Sequence, residues 1–289
     1  MGNIDAVPGE QGLTPDDAEA ASSLSVEAGW NQTVEDWHFM LAEGGGVGVP
    51  DAARGWAGTA IALPLGPDLA WLCMVLVAKS WRRQGIGMRL LERSIETPRA
   101  RGVTVGLDAT ELGRPVYLPL GFRDLYPISR WRLGGSESPD GGPREVIVRS
   151  LTSGDLGPVI AFDEARSAMR RAAVLRYLAD AGAGRSLIAE DGGRLAGFAL
   201  GRPGQRAFHI GPVVADREHV ALAMIARSLA GIGAPTIIDV PDVHDGVGRW
   251  LEAQGAVRER GFMRMALGDA SQGLCDPSTI YALAGPELG

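Results

Sequence analysis

Residues Arg82-Arg83-Gln84-Gly85-Ile86-Gly87 have the types and spacing to hold an anion. An apolar run over 69–77 precedes them and a helical pattern over 88–95 follows, so the order reads strand, tight basic turn, helix. Glycine lets the backbone turn sharply enough to aim consecutive N–H groups at one point, and the start of a helix adds the positive end of its dipole. Two arginines supply charge that a phosphate oxygen can pair with. The chemistry indicated is the binding of a pyrophosphate, as in a nucleotide-like acyl carrier. A Walker loop is excluded, because it needs Gly-Lys-Ser/Thr and the only lysine, Lys79, follows Ala78. A dinucleotide fingerprint is excluded as well, because its third glycine position holds Leu90.

Residues 103–109 read as a second buried strand, and Arg114-Pro-Val-Tyr-Leu-Pro-Leu-Gly-Phe122 follows it. The order strand, R-x-x-G-x-G, helix, strand, Tyr, Leu-Gly-Phe resembles the GNAT superfamily of N-acyltransferases over roughly residues 10–134. The resemblance implies an α/β fold with a mixed central sheet flanked by helices, and acetyl-CoA as cosubstrate. It implies that the backbone of Val75, Leu76 and Val77 pairs with the pantetheine amides as an added strand. Arg82, Arg83, Gln84, Gly85, Ile86, Gly87 and, in the first turn beyond, Met88 would hold the pyrophosphate.

Acyl transfer from a thioester to an amine needs a bound carrier, a neutral amine and help for the departing thiolate. The resemblance puts Tyr117 in the place of the proton donor to sulfur. A phenol near pKa 10 lies about 1.5 units above a thiol near 8.5, so it keeps its proton at neutral pH. Asp108 ends the second buried strand and is expected near the cleft, either as a proton acceptor or as a cap for the next helix. Glu27, Trp30, Asp36 and Trp37 lie in the first two helices, which wall the acceptor pocket in such folds; capping and core packing are the other readings. Trp30 and Trp37 share one helical face if the helix is continuous. Cys73 shows no base partner and reads as a small buried apolar residue. Asp239, Asp242, His244 and Asp245 cluster after a strand of the second half, where turn chemistry explains them as well as a metal or substrate does.

At 289 residues the chain can bury two ordinary cores, and 45% hydrophobic with 22% charged residues is a globular composition. A net charge of −7 does not favour a nucleic-acid partner. Cys73 and Cys275 form no CxxC pair and the histidines show no HxxxH spacing, so no metal site is expected. No apolar run of about 20 residues and no signal-peptide order is present, which makes a cytoplasmic protein away from membranes the simplest expectation. One lysine among so many arginines suggests a GC-rich bacterial source. The expected partner is a small-molecule amine, met by a monomer or homodimer.

Along the chain, 1–12 reads as a loose leader, Thr14 and Thr33 as helix caps, and 56–63 as a strand, with Pro98 and Gly102 closing the motif helix. The Gly/Ser/Pro-rich stretch 134–143 is a linker by composition. The organisation expected is therefore a first domain over 1–134, a linker over 135–144, a second domain over 145–268 and a tail over 269–289. The second domain repeats the element order: strand 146–151, helix 156–180, a hairpin in 185–200 turning at Asp191-Gly-Gly, strand 207–214, helix 220–230, strand 235–240. A gapless overlay of 108–133 on 242–267 matches Asp108 with Asp242, Gly121 with Gly255 and Arg130 with Arg264. In place of R-x-x-G-x-G the second copy has Asp216-Arg-Glu-His219, and in place of Tyr117 it has Leu251. It therefore resembles a degenerate GNAT domain, expected to pack on the first and complete the pocket. The end of the chain, 280–289, resembles that of one bacterial branch of tandem GNAT proteins. The function implied is transfer of acetyl from acetyl-CoA to a primary amine by direct attack. Transfer of an aminoacyl or longer acyl group, or CoA sensing without turnover, stays open beside it.

Overall fold

A computed structural model describes residues 9–134, 146–167, 169–182, 184–270 and 272–289. Residues 1–8 of the expected leader and the whole expected linker, 135–144, lie outside them. The first half runs β1 (Gln11–Leu13), α1 (Ala18–Ala28), α2 (Val34–Glu43), β2 (Gly45–Asp51), β3 (Gly55–Pro64), β4 (Leu69–Val77), α3 (Ile86–Ala100), β5 (Thr104–Thr110), α4 (Arg114–Tyr117) and β6 (Arg123–Leu133). The second runs β7 (Ile147–Ser150), α5 (Leu156–Ser167), α6 (Ala172–Ala181), β8 (Leu187–Asp191), β9 (Arg194–Arg202), β10 (Phe208–Ala215), α7 (Glu218–Leu229), β11 (Thr236–Pro241), α8 (Asp245–Ala253) and β12 (Val257–Leu267). Then come α9 (Gln272–Cys275) and β13 (Ile280–Ala282). Among the described residues no helix is long and apolar enough to cross a membrane.

Local chemistry explains the boundaries. Thr33 and Asp36 form a capping box at α2, with Thr33 N donating to Asp36 Oδ2 at 2.8 Å and Asp36 N donating back to Thr33 Oγ1 at 3.2 Å. Gly29, at φ +70°, ends α1, so the first two helices are separate and Trp30 lies in the break between them. Trp30 and Trp37 therefore share no helical face. The helix expected over 156–180 is likewise divided into α5 and α6, and Gln11–Leu13 is no leader but a strand paired with β2. The hairpin at Asp191-Gly-Gly stands as expected, its two glycines at φ +58° and +76°.

The strands form one sheet in the order β1-β2-β3-β4-β5-β12-β6-β11-β10-β9-β8-β7, with β13 on β10. The two halves have exchanged their last long strands. β12 lies between β5 and β6, β6 lies between β12 and β11, and the two pair antiparallel from Val257↔Arg132 to Ala266↔Arg123. A bidentate ion pair locks each exchange: Arg264 to Asp108, both bonds 2.8 Å, and Arg130 to Asp239, both 2.7 Å. The counterpart of Asp108 is thus Asp239 rather than Asp242. The gapless overlay slips there because the stretch from Asp239 to Arg264 is three residues longer than that from Asp108 to Arg130.

Candidate active site

β4 and β5 pair only over Leu69–Trp71 and Thr104–Gly106, then diverge. The cause lies in β4. Met74 adopts φ +51°, the β3–β4 register shifts opposite it, and Thr59 Oγ1 clamps the Met74 carbonyl at 2.9 Å. β3 holds β4 on one side and β12 holds β5 on the other, so a gap opens between them. Ala78 N donates to Ala57 O across β3, and alternation along the strand then turns the backbone of Val77 and Val75 toward the gap. The Val77 carbonyl accepts Arg82 Nε there at 3.1 Å, whereas the Leu76 carbonyl faces Gly58 of β3. Of the three residues expected to pair with pantetheine, Val75 and Val77 have that orientation.

The basic turn follows. Arg83 sits at φ +63° and Gly85 at φ +78°, and α3 begins at Ile86. Arg82, Arg83, Gln84 and Gly85 are exposed, while the Ile86 side chain is buried against Val49, Ala57, Ala60 and Leu90 and anchors the helix start. Arg89 N makes the first intrahelical bond, to Gly85 O at 3.1 Å, so the N–H groups of Ile86, Gly87 and Met88 precede any intrahelical acceptor. A Cβ at Gly85 would meet nothing within 4 Å, and one at Gly87 only Val77 Cγ2 at 3.4 Å. The turn is therefore an open cradle of N–H donors at a helix N-terminus, which fits a diphosphate.

Where the strands part lies a small cleft, partly open to solvent. β4, β5 and Tyr117 form one wall; Arg260 and Phe262 from the exchanged β12, with Pro286 and Glu287 from the chain's last residues, form the other. The Tyr117 ring tilts against Phe122 at 5.7 Å, and its hydroxyl makes no hydrogen bond to the described residues. Burial pushes its phenol up to about 12, so it holds its proton at any physiological pH. Leu251, at the matching place, is core.

Asp108 lines the cleft, but its fully buried carboxylate is taken by Arg264, whose guanidinium lies 4.6 Å from the Trp71 ring and 5.4 Å from that of Tyr126. Burial raises its pKa against the pull of Arg264, and the charges of Asp239 and Glu287 push the same way. It caps no helix; Thr110 Oγ1 accepts Gly113 N at 3.1 Å instead. Of the four residues expected at the acceptor, only Trp30 lines the cleft. Trp37 is fully buried and donates to Ser25 Oγ at 3.0 Å. Asp36 is fully buried, its oxygens shared by the capping box, the Tyr177 hydroxyl at 2.7 Å and Arg202 Nε at 2.5 Å. Glu27 sits outside the cleft beside the basic turn, paired with Arg54 at 2.7 Å and accepting Lys79 N. Cys73 also lines the cleft, and burial raises its thiol well above the ordinary range, which removes the thiolate that nucleophilic chemistry needs. Among the described residues no group of three or more His, Cys, Asp or Glu is placed to hold a metal.

Sequence reasoning missed the residues that arrive from afar. Glu287 is 3% exposed; Arg202 Nη2 donates to its Oε1, and its Oε2 has no partner among the described residues. The segment that carries it fills the second half's own gap. β10 and β11 pair only over Phe208–Ile210 and Thr236–Ile238, and beyond that β13 pairs with β10 while Leu283 N donates to Asp239 O at 2.9 Å. Where the first half leaves an opening for a ligand strand, the second is closed by the chain itself. A Cβ on Gly211 would lie 1.8 Å from Leu283 O, which shows how closely the segment is seated. The turn before α7 has Asp216 ion-paired to Arg166 at 2.6 Å where the first half has glycine and arginine. A single signal was available: buried apolar residues flanking the acid over 280–288, in what reads as a tail.

Comparison with known proteins agrees with this architecture. A model described as "Acetyltransferase (GNAT) family" matches residues 15–122, and one described as "Acetyltransferase (GNAT) domain" matches 151–282. An uncharacterized N-acetyltransferase, YitH of Bacillus subtilis, is 26% identical over 221 residues, 76% of this chain and 78% of that one. A holothin acyltransferase of a Pseudoalteromonas species is 28% identical over 229 residues, 77% of this chain and 74% of that one. In fold, the chain is similar to a putative acetyltransferase from Pyrococcus horikoshii, at TM-score 0.78 and 22% identity, covering 100% of this chain and 99% of that one. It is also similar to a tandem GNAT protein from the clavulanic acid biosynthesis pathway, at TM-score 0.62 and 15% identity, covering 91% and 99%.

Proposed function

Because the chain belongs to the GNAT acetyltransferase superfamily, with two such domains in tandem, we propose that its first half binds acetyl-CoA and transfers the acetyl group to a primary amine of a small molecule by direct attack. The observation that carries this reading is the splayed β4 edge, with the cleft that Tyr117 lines beside it and the open N–H cradle at Gly85–Gly87 just beyond the end of β4. Acetyl-CoA supplies the activated thioester when bound there. The chain's own groups do the rest. The turn and the start of α3 hold the diphosphate, Val75 and Val77 align the pantetheine arm by backbone hydrogen bonds, and Tyr117 donates to the departing sulfur. Asp108, tied to Arg264, acts as a positioning residue that keeps β5 and β12 together under the acyl group. The second half holds no carrier and supplies the far wall. Both walls come from one chain, so the reaction needs no second copy.

The test is thiol release from acetyl-CoA across a panel of primary amines, with wild type and Tyr117→Phe compared at saturating amine. The expected result is amine-dependent release, with kcat lowered about 10²-fold in the variant and acetyl-CoA affinity unchanged. Binding without release on any amine would replace the enzyme reading by a CoA-sensing one. A longer acyl group is a second reading, favoured by the relative named as an acyltransferase, and an acyl-CoA length series run in the same assay separates the two.

A further inference from the structure

We propose that Glu287, brought to the cleft by the C-terminal segment, binds the ammonium of the acceptor and takes its proton. This deepens the acetyl-transfer reading and rests on it. The first observation is the carboxylate itself. Glu287 is buried at 3% exposure and lines the cleft; its Oε1 is held by Arg202, and its Oε2 has no partner among the described residues. A buried acceptor left unpaired in this way is satisfied by a donor that the chain does not itself provide.

Charge says which donor. Arg202 is one cation held between two carboxylates, Asp36 and Glu287. His209 faces away from this carboxylate: its Nδ1 lies 3.3 Å from Arg202 Nη1 and its Nε2 lies 3.3 Å from Asp239 Oδ2. Of the other buried arginines beside the cleft, Arg130 is matched by Asp239 and Arg264 by Asp108; Arg260, at the rim, shares Glu259 with Arg132. The group around Glu287 is thus one positive charge short, and an ammonium at Oε2 supplies it.

The segment is also held firmly enough to place that oxygen. Trp71 Nε1 donates to Pro286 O at 2.9 Å, Arg202 Nη1 to Ala284 O at 3.4 Å, and Leu283 N to Asp239 O at 2.9 Å. Gly285 has φ +124°, and a Cβ there would lie 2.9 Å from Glu287 Oε1, so only glycine lets the carboxylate fold back against Arg202. An ammonium docked at Oε2 gives one proton to the carboxylate, which produces a neutral amine inside the cleft. As its nitrogen bonds to the thioester carbon, the C–S bond breaks and its electron pair leaves on sulfur. The sulfur takes the Tyr117 proton, and the second proton shed by the nitrogen restores the phenol. Glu287 passes its proton to water as the amide departs. Ammonium and thioester thus become amide, thiol and one solvent proton.

The experiment uses the full chain and its Glu287→Gln and Glu287→Asp variants. Acetyl-CoA binding is measured first by calorimetry, then thiol release with benzylamine, histamine, tryptamine and putrescine from pH 6.5 to 10. Glu287→Gln keeps a hydrogen-bond acceptor for Arg202, and its acetyl-CoA affinity should match wild type within twofold. Its kcat/KM should fall about 10²-fold at pH 7, and the deficit should shrink as pH rises toward the pKa of each amine, because the growing fraction of neutral amine needs no acceptor for its proton. Glu287→Asp should recover part of the loss. A merely structural role would lower the rate equally at every pH. Glu287→Gln within threefold of wild type, or a deficit that ignores the amine's pKa, would overturn the assignment of Glu287 alone. Failure of wild type to bind acetyl-CoA or to turn over any of these amines would instead remove the acetyl-transfer reading, and this proposal with it.

Discussion

Replacing Arg264 by methionine should destabilise both halves of the chain at once. The Arg264 and Asp108 side chains are 0% exposed and joined by two bonds of 2.8 Å. Removing the guanidinium leaves a carboxylate with no water and no counter-charge, a cost of about 3–5 kcal/mol. Loss of its stacking between Trp71 and Tyr126 adds about 0.5–1 kcal/mol for each ring. At roughly 2–4 °C per kcal/mol for large domains, the melting temperature should drop by on the order of 10 °C at pH 7. The sign of its pH dependence follows from Asp108. Burial already raises that pKa, and without Arg264 it rises further. A carboxyl whose folded pKa is raised destabilises the fold as pH climbs above the ordinary aspartate value near 3.9, so the deficit should be smaller at pH 5 than at pH 7. Scanning calorimetry at both pH values measures this. The double variant Asp108→Leu with Arg264→Met removes both charges and should regain most of the loss. Because β12 lies between β5 and β6, one transition should move as a whole. A drop under about 2 °C, a double variant no better than the single, or two transitions of which one stays fixed would refute the reasoning.

Other perturbations reach the remaining parts of the account. Burial pushes the Tyr117 phenol up to about 12, so kcat should show no fall with an apparent pKa near 10; such a limb in wild type, absent in Tyr117→Phe, would contradict the environment described. Gly211→Ala places a Cβ 1.8 Å from Leu283 O, so it should loosen 280–289, raise its cleavage in limited proteolysis and lower kcat while acetyl-CoA still binds. Burial alone would raise Asp239, but the charge and hydrogen bonds of Arg130 hold it well below the ordinary carboxylate range. Its stabilisation is therefore present above about pH 4 and lost as pH falls below that, toward its depressed pKa. Asp239→Asn should be less stable than wild type at pH 7, with the gap closing in acid unfolding titrations.

The basic-glycine turn was legible because its whole mechanism is local: the φ values of Arg83 and Gly85, the buried anchor Ile86 and the free N–H groups belong to one short stretch. The capping box at Thr33 and Asp36 was local too, although it shows Asp36 spending its carboxylate on the helix and on Arg202 rather than on an acceptor. The strand exchange was not legible. Register and element order are the same whether a strand returns to its own half or crosses to the other, and no residue states which neighbour it will have. The clue lay in the repeat, where Arg130 and Arg264 recur at one position and each needs a buried acid on the strand beside it. Glu287 was hidden for a related reason. A terminal segment after the last long strand reads as a tail, and only the unfilled gap between β10 and β11 shows why Ile280–Ala282 becomes a strand and turns the acid toward the first half.

The most direct test of the central claim, one working acyl-carrier cradle in the first half and a self-filled gap in the second, is calorimetric titration of the purified chain with acetyl-CoA beside the Gly85→Glu/Gly87→Glu variant. Both substitutions put carboxylates into space that is open around the turn, and Gly85 also loses its left-handed freedom. One acetyl-CoA should bind per chain in wild type and none in the variant. Two per chain, or a single site that survives both substitutions, would contradict it.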